Sequence, residues 1–176
     1  MKQLANMITV SRILITPFVV WGILVQKQDG FILASLLFLL ASLTDLIDGW
    51  IARSLKQTSN FGAVFDPIAD KILVTSTLTV LAVTQIISIW PVLLFFIRDS
   101  IIGGVRTLAS LEQRVIAAML AGKTKTVMQM IAIPLLILEP TPGVIWLPQL
   151  GNILLWISVG FSLISGTQYV FYYLKR

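Results

Sequence analysis

Apolar residues fill six long stretches of the chain, and short polar segments separate one stretch from the next. A helix needs about 20 predominantly apolar residues to cross the hydrocarbon core of a bilayer, and most of the stretches approach that length. The pattern therefore predicts an all-α fold, an integral membrane bundle of six transmembrane helices in a single domain over residues 1–176. The predicted helices lie near 8–25, 31–54, 66–87, 92–111, 126–138 and 149–173.

Proline, glycine and polar clusters predict where these helices begin and end. The sequence Glu-Pro-Thr-Pro-Gly at 139–143 is a strong turn signal between the last two helices. Residues 55–62 are mostly polar and predict the connection between the second and third helices. Pro67 suits the first turn of a helix, where its missing N–H costs no hydrogen bond, so the third helix is expected to begin near Asp66.

Composition supports a membrane location, because 57% of the residues are hydrophobic and only 12% are charged. Six spans place both termini on one side, and cytoplasmic loops of membrane proteins carry an excess of lysine and arginine. Lys27 is the only basic residue in the loops on the opposite side. The protein is therefore expected in the cell membrane, with both termini, the 55–62 connection and an intramembrane cavity facing the cytoplasm. The basic residues at or near that face are Lys2, Arg12, Arg53, Lys56, Lys71, Arg106, Arg114, Lys123, Lys125, Lys175 and Arg176.

The chain has neither cysteine nor histidine, which excludes several kinds of site. Disulfides, thiol catalysis and thiolate metal sites need cysteine. Ser-His-Asp catalysis and histidine-based zinc sites need histidine. Acid, base and metal-binding roles therefore fall to Asp, Glu, Lys, Arg or Tyr.

Four aspartates lie near the end of the second predicted helix and the start of the third. Asp45 and Asp48 are three positions apart, and Asp66 and Asp70 are four apart, so each pair lies on one face of a helix. Converging carboxylates in a poorly hydrated space would repel and protonate unless cations hold them together. Mg²⁺ and Mn²⁺ prefer oxygen ligands, and a pair of such ions can hold the oxygens of a phosphoryl group during its transfer. The aspartates therefore indicate phosphoryl chemistry.

The spacing of these acids, and of the residues between them, resembles the signature of the CDP-alcohol phosphatidyltransferases. That signature spans twenty-six positions here and combines four aspartates with two glycines, an alanine and an arginine. The chain fills all eight positions with Asp45, Asp48, Gly49, Ala52, Arg53, Gly62, Asp66 and Asp70.

The resemblance implies a lipid donor, CDP-diacylglycerol, with its diphosphate on the metal ions and its tails in the bilayer. The four aspartates would be the ligands of two Mg²⁺ or Mn²⁺ ions, and Asp70 would also accept the proton of the attacking hydroxyl. The small residues Gly49, Ala52 and Gly62 would let the cytidine approach closely, while Arg53 would pair with an acid or with the nucleotide phosphate. Related enzymes are dimers, so a homodimer is expected.

A second group of charges follows in the fourth helix and after it. Arg98 and Arg106, with Asp99 next to the first, lie inside a mostly apolar helix, where charged residues are costly and usually functional. Together with Lys123 and Lys125 they would form a pocket for the phosphate of an anionic acceptor. Two other interpretations remain open, namely an internal salt bridge for Arg98 and membrane-surface topology for the other three.

Within the family, the segments RDSIIGGVR and GKTKTVMQM resemble the phosphatidylglycerophosphate synthase branch, as does the early segment that contains Asn6, Thr9 and Arg12. That branch uses glycerol 3-phosphate as its acceptor, and its sn-1 hydroxyl attacks the phosphorus that carries the lipid. Phosphatidylglycerol phosphate and CMP would be the products. Asn6 and Thr9 are assigned to the CDP-diacylglycerol site on this resemblance.

Two alternatives compete with this interpretation. The same chemistry could use another acceptor, such as inositol phosphate, phosphatidylglycerol or serine. Intramembrane acids also mark cation or proton pathways in transporters. The acids here gather near one membrane face instead of tracing a path, and no inverted repeat is evident, which favours the enzyme.

Overall fold

The computed structural model describes the backbone of residues 2–54, 60–112, 120–143 and 146–175, and the side chains of 10–44, 68–112, 122–143 and 146–175. Within these ranges the chain forms six helices and no strand, so the predicted all-α class is confirmed. The helices are α1 (Lys2–Leu24), α2 (Gln28–Ser54), α3 (Asn60–Val83), α4 (Ile89–Leu111), α5 (Leu120–Ile137) and α6 (Trp146–Leu174).

The third helix begins earlier than the sequence predicts. It starts at Asn60 and continues through Pro67, which therefore lies in the helix interior and not in its first turn. A proline inside a helix removes one backbone hydrogen bond, but it does not prevent a helix that other residues favour. Phe61, Val64 and Phe65 continue the apolar helical spacing upstream of Pro67.

The fifth helix also begins earlier, at Leu120 and not near 126. Its first two turns carry Gly122, Lys123 and Lys125, whose polarity suggested a connection between helices. Lysine is a good helix former, so polarity alone does not end a helix. Gly122 and Lys125 line a cavity, which explains why this end of the helix is not uniformly apolar.

The turn predicted before the last helix is confirmed. α5 ends at Ile137, and residues 138–143 form consecutive turns and a bend. Gly143 has a φ of +86°, in the left-handed region that glycine adopts without a steric penalty from a Cβ atom.

The helices pack in an order that differs from their order along the chain. α1 lies against both α2 and α3, α2 packs on α5, and α5 packs most extensively on α6. α6 in turn packs on α4, and α4 contacts α3, which closes a ring; α3 also contacts α5. The gap between α3, α4 and α5 is where the candidate site lies.

α1 and α2 approach each other unusually closely at two glycines. A Cβ atom added to Gly30 would lie 2.5 Å from the carbonyl oxygen of Gly22, and one added to Gly22 would lie 2.9 Å from that of Gly30. Real Cβ atoms essentially never come so close to an oxygen, so both positions require a residue without a side chain.

Apolar side chains occupy the outside of the bundle as well as its core. Val19, Phe38 and Leu81 are fully buried, whereas Leu14 and Trp21 of α1 each expose 62% of their surface. Among the described residues, α6 is the one helix whose length and apolar composition suffice to cross a membrane, and two shorter apolar segments occur at Val10–Leu24 and Gln28–Thr44.

Candidate active site

A cavity of about 620 Å³ lies between α3, α4 and α5. Its volume falls within the range of roughly 300–1,000 Å³ that is typical of small-molecule sites. Apolar residues of α3 and α4, among them Leu78, Val92 and Phe95, form part of its wall. Its charged lining residues are Asp70, Lys71, Arg98, Asp99 and Lys125.

Asp70 is the one residue of the predicted metal site whose side chain the structure describes. It is half-buried and lines the cavity from α3. Asp45 and Asp48 belong to the continuous helix α2, and Asp66 and Asp70 to α3, so each pair has the helical spacing that the sequence predicts. The side chains of Asp45, Asp48 and Asp66 lie outside the described residues.

Other predicted residues also lie outside the described side chains, namely Asn6, Thr9, Gly49, Ala52, Arg53 and Gly62. Among the side chains that are described, no three acids come together as a metal site would require. The chemistry of the predicted donor set still fits Mg²⁺ or Mn²⁺, because four carboxylates supply only hard oxygen ligands. The metal site therefore stays a prediction.

Arg98 lines the cavity and is held in place by α4 and α6. Its Nη1 donates to Asp99 Oδ1 at 2.8 Å, and its Nη2 donates to Ser165 Oγ at 2.8 Å. Its Nε donates to the carbonyl oxygen of Ser162 at 3.2 Å. A Cβ atom at Gly166 would lie only 3.1 Å from Arg98 Cγ, so the glycine makes room for this side chain. The internal salt bridge considered for Arg98 is present, and its partner is the adjacent aspartate.

Lys125 reaches the same carboxylate from α5. Its Nζ lies 3.0 Å from Asp99 Oδ1 and 3.1 Å from Asp99 Oδ2, and it lies 4.9 Å from the centre of the Phe95 ring. Only 7% of the residue is exposed. The carboxylate and the aromatic ring thus hold a cation at the wall of the cavity.

The other two cationic residues of the predicted acceptor pocket lie elsewhere. Arg106 and Lys123 are exposed and are not among the residues that line the cavity. Residues two positions apart on a helix do not face the same way, which separates Lys123 from Lys125. The structure therefore brings Arg98 and Lys125 together at the cavity and leaves Arg106 and Lys123 on the surface.

The arrangement combines an acid of the aspartate motif with two fixed cations, and comparison with known proteins identifies the family. Residues 2–164 match the family model for CDP-alcohol phosphatidyltransferase. The chain belongs to the CDP-alcohol phosphatidyltransferase family. The resemblance seen in the aspartate motif is thereby confirmed.

Three relatives of this family member share one name, CDP-diacylglycerol--glycerol-3-phosphate 3-phosphatidyltransferase. The protein of that name from Rickettsia felis is 35% identical over 169 residues, which cover 96% of this chain and 93% of the relative. The one from Rickettsia typhi is 36% identical, with 96% of each chain covered. The one from Bacillus subtilis is 34% identical and covers 96% of this chain and 94% of its own.

Sequence reasoning assigned no role to two charged residues of this phosphatidyltransferase that line the cavity. Asp99 occurs in the segment RDSIIGGVR next to Arg98, and Lys71 is one of the basic residues of the predicted cytoplasmic face. A charge inside an apolar helix was a usable signal for Asp99. Its partnership with Lys125, 26 positions away, depends on how α4 and α5 are placed.

Proposed function

We propose that this protein transfers the phosphatidyl group of CDP-diacylglycerol to the sn-1 hydroxyl of glycerol 3-phosphate. The products are phosphatidylglycerol phosphate and CMP, in phospholipid biosynthesis. The observation that carries this proposal is the cavity, where Asp70 of the family motif and the cations Arg98 and Lys125 line one space. The shared name of relatives that are 34–36% identical over nearly the whole chain agrees with it.

Asp70 is the proposed general base. The acceptor hydroxyl oxygen forms a new bond to the phosphorus that carries the lipid, and its proton passes to the Asp70 carboxylate. The bond from that phosphorus to the oxygen of CMP breaks, and CMP leaves with the bonding electrons. A positioned base contributes typically 10²–10⁴-fold to such a step, and orientation of the hydroxyl within the cavity adds to it.

Asp45, Asp48, Asp66 and Asp70 are the proposed ligands of two Mg²⁺ or Mn²⁺ ions. When bound, such ions neutralise negative charge on the diphosphate and on the departing CMP. All four residues lie on α2 and α3, and all four offer oxygen donors.

The donor nucleotide is assigned to the region where α2 ends and α3 begins. Gly49, Ala52 and Gly62 are small enough to leave room for a cytidine, and Arg53 can pair with a phosphate or with an acid of the site. Asn6 and Thr9 complete this set on the family resemblance. These six residues remain proposals.

The acceptor phosphate is assigned to the cations of the cavity. Arg98 is rigidly held and presents a planar guanidinium, which suits the geometry of a phosphate. Lys125, on α5, donates to the same Asp99 carboxylate that binds Arg98, which brings the two cations close together. Arg106 and Lys123 belong to the same predicted pocket, but their exposed side chains give them less support than Arg98 and Lys125 have.

All six helices are proposed to span the cell membrane, with both termini and the active site on the cytoplasmic side. Large apolar side chains on the outside of the bundle support contact with lipid, since soluble monomers rarely expose extensive apolar surface. The concentration of basic residues near one face supports the orientation. A homodimer is proposed on the family resemblance.

The test is CMP release by the purified protein in detergent with CDP-diacylglycerol and Mg²⁺ or Mn²⁺. Glycerol 3-phosphate, inositol phosphate, phosphatidylglycerol and serine are supplied in turn. Turnover with glycerol 3-phosphate alone is the expected result. Turnover only with another acceptor would refute the acceptor assignment, and failure to release CMP with all four would refute the enzymatic proposal and favour transport.

A further inference from the structure

Among the residues whose side chains the structure describes, Asp99 is the one with hydrogen bonds from both fixed cations of the cavity. Its Oδ1 accepts from Arg98 Nη1 at 2.8 Å and from Lys125 Nζ at 3.0 Å, and its Oδ2 accepts from Lys125 Nζ at 3.1 Å. The Asp99 side chain is 26% exposed, more than that of either partner. The carboxylate thus lies between the two cations at the surface of the cavity.

The pair of Asp99 and Lys125 spans the gap between two helices that have little direct contact in the described part of the chain. α4 packs mainly on α6, and α5 packs mainly on α6 and α2, while the cavity lies between α4 and α5. Lys125 reaches across to α4, where Phe95 and Asp99 are four positions apart and so lie on one helical face. Without Asp99, the Phe95 ring would be the one remaining described contact that fixes the position of the flexible Lys125 side chain.

Within the described part of the chain, both cations have N–H donors beyond those that bind Asp99 and the α6 serines. Arg98 has five N–H donors, of which Asp99, Ser162 and Ser165 take three. Lys125 has three N–H donors, and its hydrogen bonds in the described structure go to the two oxygens of one carboxylate. The remaining donors are therefore oriented by Asp99 and not freely rotating.

We infer that Asp99 is a positioning residue that sets Lys125 and Arg98 in register to bind the phosphate of the acceptor. This role rests on the proposed function. Charge alone predicts the opposite effect, because removing a carboxylate would make the cavity more positive and would strengthen the binding of an anion. Positioning predicts weaker binding, because the lysine loses its fixed place. The sign of the change therefore separates the two accounts.

The experiment compares Asp99→Asn with the wild-type enzyme in steady-state CMP release. We expect the KM for glycerol 3-phosphate to rise at least tenfold, with kcat within threefold and the KM for CDP-diacylglycerol unchanged. Asp99→Glu keeps the charge and is expected to give an intermediate KM. An unchanged or lowered KM for glycerol 3-phosphate in Asp99→Asn would overturn the inference.

Two matched variants show whether the rise in the KM for glycerol 3-phosphate is specific to Asp99. Asp29→Asn makes the same chemical change on an exposed carboxylate in the first turn of α2, and its kinetics should match the wild type. Ser165→Ala removes one acceptor from Arg98 but leaves Lys125 on Asp99, so its KM should rise less than that of Asp99→Asn. A purely structural role would lower kcat and thermal stability of Asp99→Asn together and leave both KM values unchanged, which would overturn the inference.

If Asp99→Asn does not fold, the same kinetic comparison is made with Asp99→Glu. An unchanged KM for glycerol 3-phosphate in that variant would then overturn the inference. The proposed function fails separately, in the wild-type protein. If the wild type uses only inositol phosphate, the proposed acceptor is wrong, whereas a raised KM for inositol phosphate in Asp99→Asn still supports positioning of a phosphate.

Discussion

Lys125→Met removes one cation from the cavity and tests the acceptor pocket most directly. Methionine is unbranched and of similar length, so it can fill the space of the lysine side chain beside Phe95. Asp99 retains Arg98 as its ion-pair partner, at 2.8 Å, so the substitution does not leave an isolated carboxylate in the cavity. The protein is therefore expected to fold.

The expected magnitude follows from the burial and geometry of the lysine. Lys125 is only 7% exposed, so water does not screen it as it would a surface charge. A hydrogen bond to a charged group contributes about 1.5–3 kcal/mol, and about 1.4 kcal/mol corresponds to a factor of ten in affinity. The KM for glycerol 3-phosphate should accordingly rise about 10- to 100-fold.

Lys123→Met is the matched comparison, because it makes the same change two positions away on the same helix. Lys123 is exposed and is not among the cavity-lining residues, so the rise in KM should be at least tenfold smaller than for Lys125→Met. The assay is CMP release at saturating CDP-diacylglycerol with varied glycerol 3-phosphate. A KM within threefold of wild type in Lys125→Met, or an equal rise in both variants, would refute this account of the pocket.

Three further predictions concern the base, the metals and the helix contact. Asp70→Asn should reduce CMP release at least about 100-fold while thermal unfolding in detergent stays near wild type, and robust turnover would exclude the base role. Removal of divalent ions with EDTA should abolish CMP release, and excess Mg²⁺ or Mn²⁺ should restore it; activity that survives chelation would contradict the metal site. Gly30→Ala should destabilise the fold by about 1–3 kcal/mol, because its Cβ would meet the Gly22 carbonyl at 2.5 Å. Gly160→Ala, whose Cβ meets nothing within 4 Å, is its control in thermal unfolding, and equal unfolding midpoints would contradict the steric argument.

The number of helices and the motif of the site could be predicted from the sequence because both are local. A long apolar stretch favours a helix wherever it packs, and aspartates three or four positions apart share a helical face by geometry alone. The starts of α3 and α5 could not be predicted as well. Pro67 and the polar residues near Lys125 resemble signals for a helix end or a connection, yet neighbouring residues continue the helix through them.

The sequence by itself determined the family, the helical class and the candidate motif acids, because each depends on residue types at short spacing. Only the tertiary structure decided which cations line the cavity. Arg98, Lys123 and Lys125 carry the same charge in the sequence, but the placement of α4 and α5 on two sides of the cavity buries Lys125 against Asp99 and leaves Lys123 exposed. A contact between residues 26 positions apart is set by how helices pack across a cavity, and no local pattern records that arrangement.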